Sequence, residues 1–338
     1  MSPARAGASA ARTPVASVGV KAAVYDETGP PEVLRYADMP DPATGPGDVL
    51  VQVEAISIEG GDTLNRAGGE LAGRPHIVGY QCAGTIVAVG ADVQDRRPGQ
   101  RVVATSLFGS HAELFAVPEA LTWMVPDRLD IVWAACVPIA FGTADDCLFE
   151  FGGLRAGQTV LVQAGASGVG VAAIQLAKRA GATVLATASS DAKLERLRPL
   201  GLDQGINYRD VDFADAAREL TGGQGVDLVV DSVGSTLTGS VRSLAYRGRC
   251  TLVGQAGRDT QPFDASVLMM GNQTVTGVFF GAEVFTERVH SMVDRHLADV
   301  EAGRLQVLVD RTFPLAEAAA AHAYAESRQA VGRVVLVP

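Results

Sequence analysis

The stretch QTVLVQAGASGVGVAAIQLAKRAG, residues 158–181, decides the fold. Its apolar run from Thr159 to Gln163 reads as a buried strand. The strand enters a turn made of Gly165, Ala166, Ser167, Gly168, Val169 and Gly170. A helical pattern follows at once, with Val171, Ile174, Gln175, Lys178 and Arg179 at helical spacing and Gly181 as the stop. Strand, small-residue turn and helix in that order form a dinucleotide-binding arrangement. The tight turn lets backbone approach a pyrophosphate, whose charge meets the free N–H groups and positive dipole end of the helix. A glycine triplet alone makes ordinary turns; here the flanking strand and helix supply the required context. The middle glycine of Gly-x-Gly-x-x-Gly is Ser167, which is small enough to fit but alters the pyrophosphate contacts expected there.

Downstream, short apolar strands keep alternating with helices: ATVLATA with DAKLERLRPLG, GINYR with FADAARELTGG, then VDLVVDSVG, RCTLVGQAG and QTVTGVFFG. A βαβ series of about six strands predicts an α/β fold with a parallel, doubly wound Rossmann sheet. Upstream the pattern differs. KAAVYD, VLRYADMP, GPGDVLVQVEAISI, GTIVAVG, RVVATS and HAELFAVP read as strands with turns at short spacing, and EGGDTLNRAGGELAGRPHIVGYQCAG reads as a loop region among them. This is a β-rich domain, closer to a partly open barrel than to a sandwich. IVWAACVPIAFGTADDCLFEFGG is helical in period and is split by Pro138; a later helix covers Val284 to Ala302. The closing strand GRVVLVP belongs to the β-rich class, so the C-terminus is expected to return to the first domain. The expected boundaries are a disordered tail over 1–18, a β-rich domain over 19–140 and 284–338, and a nucleotide domain over 141–283.

A chain of 338 residues has room for two such domains. A net charge of −10 without a basic stripe argues against a nucleic-acid partner. Cys82, Cys136, Cys147 and Cys250 are scattered without metal or disulfide spacing and read as core residues of a reducing compartment, so a cytoplasmic protein is expected. No apolar run reaches the length of a membrane span.

Together, KAAVYDETGPPEVL, GPGDVLVQV, VGYQCAGTIVAVG, GQRVV, AGASGVG, IQLAKRAGA, DLVVDSVG and ESRQAVGRVVLVP resemble the medium-chain dehydrogenase/reductases, and within them the zinc-independent, zeta-crystallin-like quinone oxidoreductases. The resemblance spans Lys21 to Pro338. It implies a GroES-like catalytic domain built from both chain ends, a Rossmann domain inserted between them, and a cleft active site. Where zinc-dependent relatives carry metal ligands this chain has Glu59, Tyr80 and Ile139. Isoleucine cannot ligate and tyrosine is a poor substitute for imidazole or thiolate, so no metal is expected.

The second nucleotide-domain strand ends in LATASS with no acid at its tip, and Lys193 is one of only three lysines in the chain. The resemblance assigns Lys193 and Tyr208 to the 2′-phosphate of NADPH, and a cation with hydroxyl donors such as Ser189 suits a dianion. Asp191, which could mimic an NAD-selecting carboxylate, instead sits at a helix start, where a carboxylate complements the dipole. Further cofactor contacts implied are Thr143, Gly165, Ala166, Ser167, Gly168, Val169, Val233, Gly254, Gln255, Phe279, Phe280 and Arg328. Phe279 and Phe280 also read as core or interface, and Asp231 as a structural cap. Thr143 would touch carboxamide or substrate.

The family's Asn-Pro-x-Asp cleft loop is Glu59-Gly60-Gly61-Asp62 here. Glu59, Asp62 and Tyr80, together with Thr143, are therefore the catalytic candidates, with Glu59 or Tyr80 donating a proton after hydride transfer. The competing reading pairs Glu59 with Arg66. Asp145 and Asp146 are read as one solvated carboxylate and one that caps or pairs. The expected function is hydride transfer from NADPH to a quinone-type acceptor. Reduction of an enone or enoyl C=C is the alternative, and a low-turnover NADPH-binding protein the third reading. The apolar segment Gln273 to Phe280 is the expected edge of a homodimer.

Overall fold

The computed structural model describes residues 19–259 and 261–338. The tail expected over 1–18 lies outside the described residues. Six strands form one parallel sheet in the order Gln204–Asn207, Thr183–Ala188, Thr159–Val162, Val226–Asp231, Leu244–Leu252 and Thr274–Gly277. Successive crossovers run outward to one side of Thr159–Val162 and then to the other. The order therefore reverses there and opens a crevice at the carboxyl ends of the strands. Val160, Leu161 and Val162 are fully buried, as a central strand covered on both faces requires.

A seven-stranded sheet joins both ends of the chain. Val309–Pro314 pairs with Arg333–Val337, which runs antiparallel to Asp48–Ser57 through Leu336 opposite Ile56. Gln81–Val89, Arg101–Thr105 and Thr122–Met124 continue it, and Leu114–Pro118 lies along Asp48–Ser57. Val49, Val51, Val53 and Ala55 all point into the core, the period-2 pattern expected of a strand with one packed face. A three-stranded sheet of Arg35–Met39, Val20–Tyr25 and His76–Ile77 flanks it.

Two readings need correction. The segment expected as loop after Ser57 contains a helix, Gly60–Gly68. Three of its nine residues are glycine or open it as glycine, which hid the helical pattern. The helix holds because the Asp62 carboxylate accepts the Glu59 N–H at 2.8 Å, satisfying a backbone donor at its start. At the other end of the nucleotide sheet, the strand expected through Phe280 stops at Gly277, and Phe280–Glu283 is a short helix. Pro138 does begin a new helix, Pro138–Asp145, and it runs on into a π-helical turn over Asp146–Glu150. Among the described residues no helix is long and apolar enough to cross a membrane.

Candidate active site

The turn after Thr159–Val162 is built for close approach. A Cβ on Gly165 would lie 2.8 Å from the Ala186 side chain, and one on Gly170 would lie 2.4 Å from the Ala164 carbonyl oxygen. Ser167 is the N-cap of helix Gly168–Arg179, its Oγ accepting the Gly170 N–H at 3.0 Å. The departure from glycine thus has a local reason: the hydroxyl satisfies one helix donor. The N–H groups of Gly168 and Val169, ahead of the first intrahelical bonds, are left for an anion.

At the tip of the next strand, Ser190 rather than Asp191 caps helix Asp191–Leu197. Asp191 lies in the first turn, where its Oδ1 accepts from Asn207 at 3.4 Å. The Lys193 ammonium donates to the carbonyl oxygens of Arg328 and Ala330, so the 2′-phosphate candidate Lys193 and the further cofactor candidate Arg328 meet across the domain boundary. Burial lowers the Lys193 pKa; Asp310 opposes this, and Arg209 and Arg196 lower it further. Arg209, beside the half-exposed Tyr208, was not singled out from the sequence. Its signal was present, since it is the next residue in NYRD.

Val233, Gly254, Gln255 and Phe279 converge on one depression of about 440 Å³, shared with Asp259 and Gln261. Phe280 does not line it: the ring is buried, 2.5 Å from where a Gly142 Cβ would stand, next to Thr143. The side-chain contact expected of Phe280 is therefore replaced by a packing role. Asp231 is a structural cap. It is fully buried, accepting from the Val233 and Gly234 N–H groups at 2.9 and 3.0 Å and from Thr236 and Ser240. Asp145 and Asp146 are both buried, not one solvated. Asp146 pairs with Arg288 at 2.5 Å and Asp145 faces His296 at 3.0 Å.

Glu59, Asp62 and Tyr80 do come together. Glu59 is 3% exposed, and one of its oxygens, Oε1, accepts from Arg333, Gln81 and, at 3.3 Å, Ser57. The pairing of Glu59 with Arg66 is corrected: its cation is Arg333, and Arg66 instead binds Glu326 and the Gly29 carbonyl. Arg333 also donates to Ser57 Oγ at 2.8 Å and to the Ile58 carbonyl at 2.5 Å. Its guanidinium lies 2.3 Å from where a Cβ on Gly168 would be. One buried arginine thus connects the cleft loop to the phosphate turn. Burial raises the Glu59 pKa, with Arg333, Ser57 and Gln81 opposing it. An oxygen that accepts three hydrogen bonds is held as carboxylate.

Tyr80 behaves differently. Its phenol oxygen accepts the Gly61 N–H at 3.2 Å, an approach only a glycine permits, since a Cβ there would lie 2.4 Å from that oxygen. Burial pushes the phenol well above its ordinary pKa, with Asp62 and Glu59 adding to the effect. Tyr80 therefore stays protonated, with its proton uncommitted to the Gly61 contact. Burial also raises Asp62 well above the usual carboxylate range. At the third position compared with metal ligands, Ile139 contributes a backbone N–H to Gln81 Oε1 at 3.2 Å.

A doubly wound nucleotide sheet facing a β-rich domain across a polar cleft defines the two-domain dehydrogenase and reductase class. Family models agree: residues 45–127 match the alcohol dehydrogenase GroES-like domain and residues 168–295 the zinc-binding dehydrogenase model. A 2-haloacrylate reductase from Burkholderia sp is 35% identical, covering 94% of this chain and 99% of its own length. A quinone oxidoreductase from Pseudomonas aeruginosa is 34% identical, covering 92% of this chain and 97% of its own. Escherichia coli quinone oxidoreductase complexed with NADPH superposes with a TM-score of 0.90 at 27% identity, covering 94% of this chain and all of its own. The chain belongs to the medium-chain dehydrogenase/reductase superfamily, in its zinc-independent quinone oxidoreductase family.

Proposed function

We propose that the protein is an NADPH-dependent, zinc-independent reductase of electron-poor acceptors, quinones first, acting in the cleft between its two domains. The observation that carries this reading is the joining of phosphate turn and cleft loop through Arg333. The fit to a dinucleotide rests on the turn, where Gly168 and Val169 present donors at the helix start, and where Gly165 and Gly170 let the turn pack tightly against Ala186 and Ala164. Preference for a 2′-phosphate is supported by Lys193, Arg209, Ser189, Tyr208 and Arg328 near the tip of the second strand, against a single carboxylate, Asp191, engaged with Asn207. NADPH held there supplies the hydride.

The chain's own residues do the rest. Gly165 through Val169 fix the phosphates. Val233, Gly254, Gln255 and Phe279 border the nicotinamide side. Glu59, fixed by Arg333, and Asp62 hold the start of helix Gly60–Gly68, so that the Gly61 N–H orients Tyr80. Tyr80 is the group we assign as proton donor, in preference to Glu59. Quinone reduction needs that donor little, because the reduced oxyanion is stable. Reduction of an activated C=C bond needs it more, and the aimed Tyr80 phenol favours this second reading, as does likeness to a 2-haloacrylate reductase. Metal-free action is supported by the occupation of Glu59 with Arg333 and by Ile139 in the third position.

We further propose a cytoplasmic homodimer. The strand Thr274–Gly277 ends its sheet, and Met269, Met270, Phe279 and Phe285 nearby are exposed, Met270 by 91%. Light scattering tests this: a monomer refutes the dimer. The catalytic reading is tested with chelator-treated protein, NADPH, and a panel of quinones and α,β-unsaturated carbonyl compounds, with product analysis. Quinol formation supports the first reading and saturated products the second. No turnover with any acceptor, with NADPH still bound, leaves a low-turnover binding protein.

A further inference from the structure

Arg258 lies in the loop that follows Leu244–Leu252, four residues beyond Gly254, yet its guanidinium reaches the other domain. Nη2 donates to Thr63 Oγ1 at 3.2 Å and to Glu326 Oε1 at 2.8 Å. Thr63 sits one residue past Asp62 on the helix whose start orients Tyr80, so Arg258 stands at the acceptor side of the cleft. Glu326 is already paired. The same Oε1 accepts from Arg66, which is fully buried and cannot be left without an anion. Two guanidiniums therefore share one carboxylate, and one positive charge is uncompensated within the group formed by Arg66, Arg258 and Glu326.

Three further facts sharpen this. Both Arg258 contacts use one nitrogen, so Nη1 and Nε have no protein acceptor among the described residues. The neighbouring Glu59 and Arg333 neutralise each other and offer the cleft no net charge. The chain as a whole carries −10, so a surplus cation beside the cleft runs against the overall balance. Both forks of a guanidinium include Nη2, which is spent here, so Nη1 and Nε are each left to donate a single charge-assisted hydrogen bond to an incoming carboxylate.

We infer that Arg258 is a specificity residue that binds a carboxylate on the acceptor. The preferred acceptors are then unsaturated acids, in which hydride and a proton add across the double bond while the carboxylate passes through unchanged. This rests on the reductase reading above and names the substrate class of the same cleft.

The experiment uses matched pairs that differ in charge alone. Isobutyrate and isobutyramide are titrated calorimetrically into protein saturated with NADP⁺, and methacrylate and methacrylamide are compared as acceptors with NADPH. The wild type should bind the acid more tightly. Arg258→Met should weaken the acid by about 10- to 100-fold, the scale of a lost hydrogen bond to a charged group, and change the amide and the NADPH dissociation constant less than about threefold. Arg258→Lys should restore part of the preference. Equal weakening of acid and amide would make Arg258 a clamp between domains, and weakened NADPH binding would make it a cofactor ligand. Either overturns the inference, as does a wild type with no preference for the acid. The calorimetric arm needs no turnover, so failure of the reductase reading is seen separately, as absent NADPH oxidation with every acceptor.

Discussion

Arg333→Met removes the cation beside Glu59, and its consequences follow from the geometry. The variant leaves a carboxylate that is 3% exposed with only Ser57 and Gln81 to stabilise it. It also strips donors from Ser57 Oγ and the Ile58 carbonyl. Removing one member of a buried ion pair costs about 3–5 kcal/mol, most of it from the charge left behind. Glu59→Gln/Arg333→Met removes both charges and should recover all but about 1–2 kcal/mol of that loss. The pH dependence has a definite sign. Without Arg333 the folded-state pKa of Glu59 rises further above its unfolded value, so the folded protein takes up a proton that the unfolded chain does not. The loss is then smallest below the unfolded pKa and grows as pH rises toward the new folded pKa. Urea unfolding of wild type, single and double variants at about pH 5.5 and about pH 8 measures this. A single variant that loses less than about 1 kcal/mol, or a loss that does not grow with pH and is not relieved in the double variant, refutes the account of the pair.

Gly61→Ala places a methyl group 2.4 Å from the resting Tyr80 oxygen; it should lower kcat for C=C acceptors at least about tenfold while leaving NADPH affinity unchanged, checked by steady-state kinetics beside fluorescence titration. Lys193→Ala should raise the NADPH dissociation constant about 10- to 100-fold and leave that for NADH unchanged, which equilibrium titration of both nucleotides decides. His111 and His322 face each other through Nε2 atoms 3.1 Å apart in the core, and burial lowers His111 to about 3 and His322 well below its ordinary value. Their neutral forms contribute stability that is fully present above the unfolded imidazole pKa and is lost as pH falls through it toward the folded values, at about 1.4 kcal/mol per pH unit per group. Imidazole proton shifts should show both rings still neutral at about pH 5; titration of either near 6.5 contradicts this.

What the sequence disclosed follows the range of the interactions involved. The nucleotide domain is legible because its signal is local: the strand, the turn and the helix of residues 158–181 adjoin, and the carboxyl tips of the later strands are found by counting apolar runs. The Ser167 departure was visible but its capping role was not, since a glycine-like position and an N-cap differ only in where the side chain points. The cleft was legible in membership and not in pairing. Glu59 and Arg333 are 274 positions apart, and they meet only because Arg333–Val337 lies along Asp48–Ser57. Arg66 is close in sequence and of the right charge, but it sits farther along the same helix and turns to Glu326. The burial of both Asp145 and Asp146 was hidden in the same way, since their partners His296 and Arg288 come from one distant helix, Glu287–Glu301. The helix Gly60–Gly68 stayed hidden because its glycines argue for a loop, while the Asp62 side chain that stabilises its start acts through the backbone.

The most direct test of the central claim is the ratio of kcat/KM for NADPH to that for NADH in chelator-treated wild-type protein, measured with a simple quinone as acceptor. The account predicts sustained turnover after chelation and a preference for NADPH of at least about tenfold, the scale of a hydrogen bond between charged groups at the 2′-phosphate. Equal use of both nucleotides would contradict the roles given to Lys193, Tyr208 and Arg328, and activity that vanishes on chelation and returns with zinc would contradict the roles given to Glu59 and Arg333.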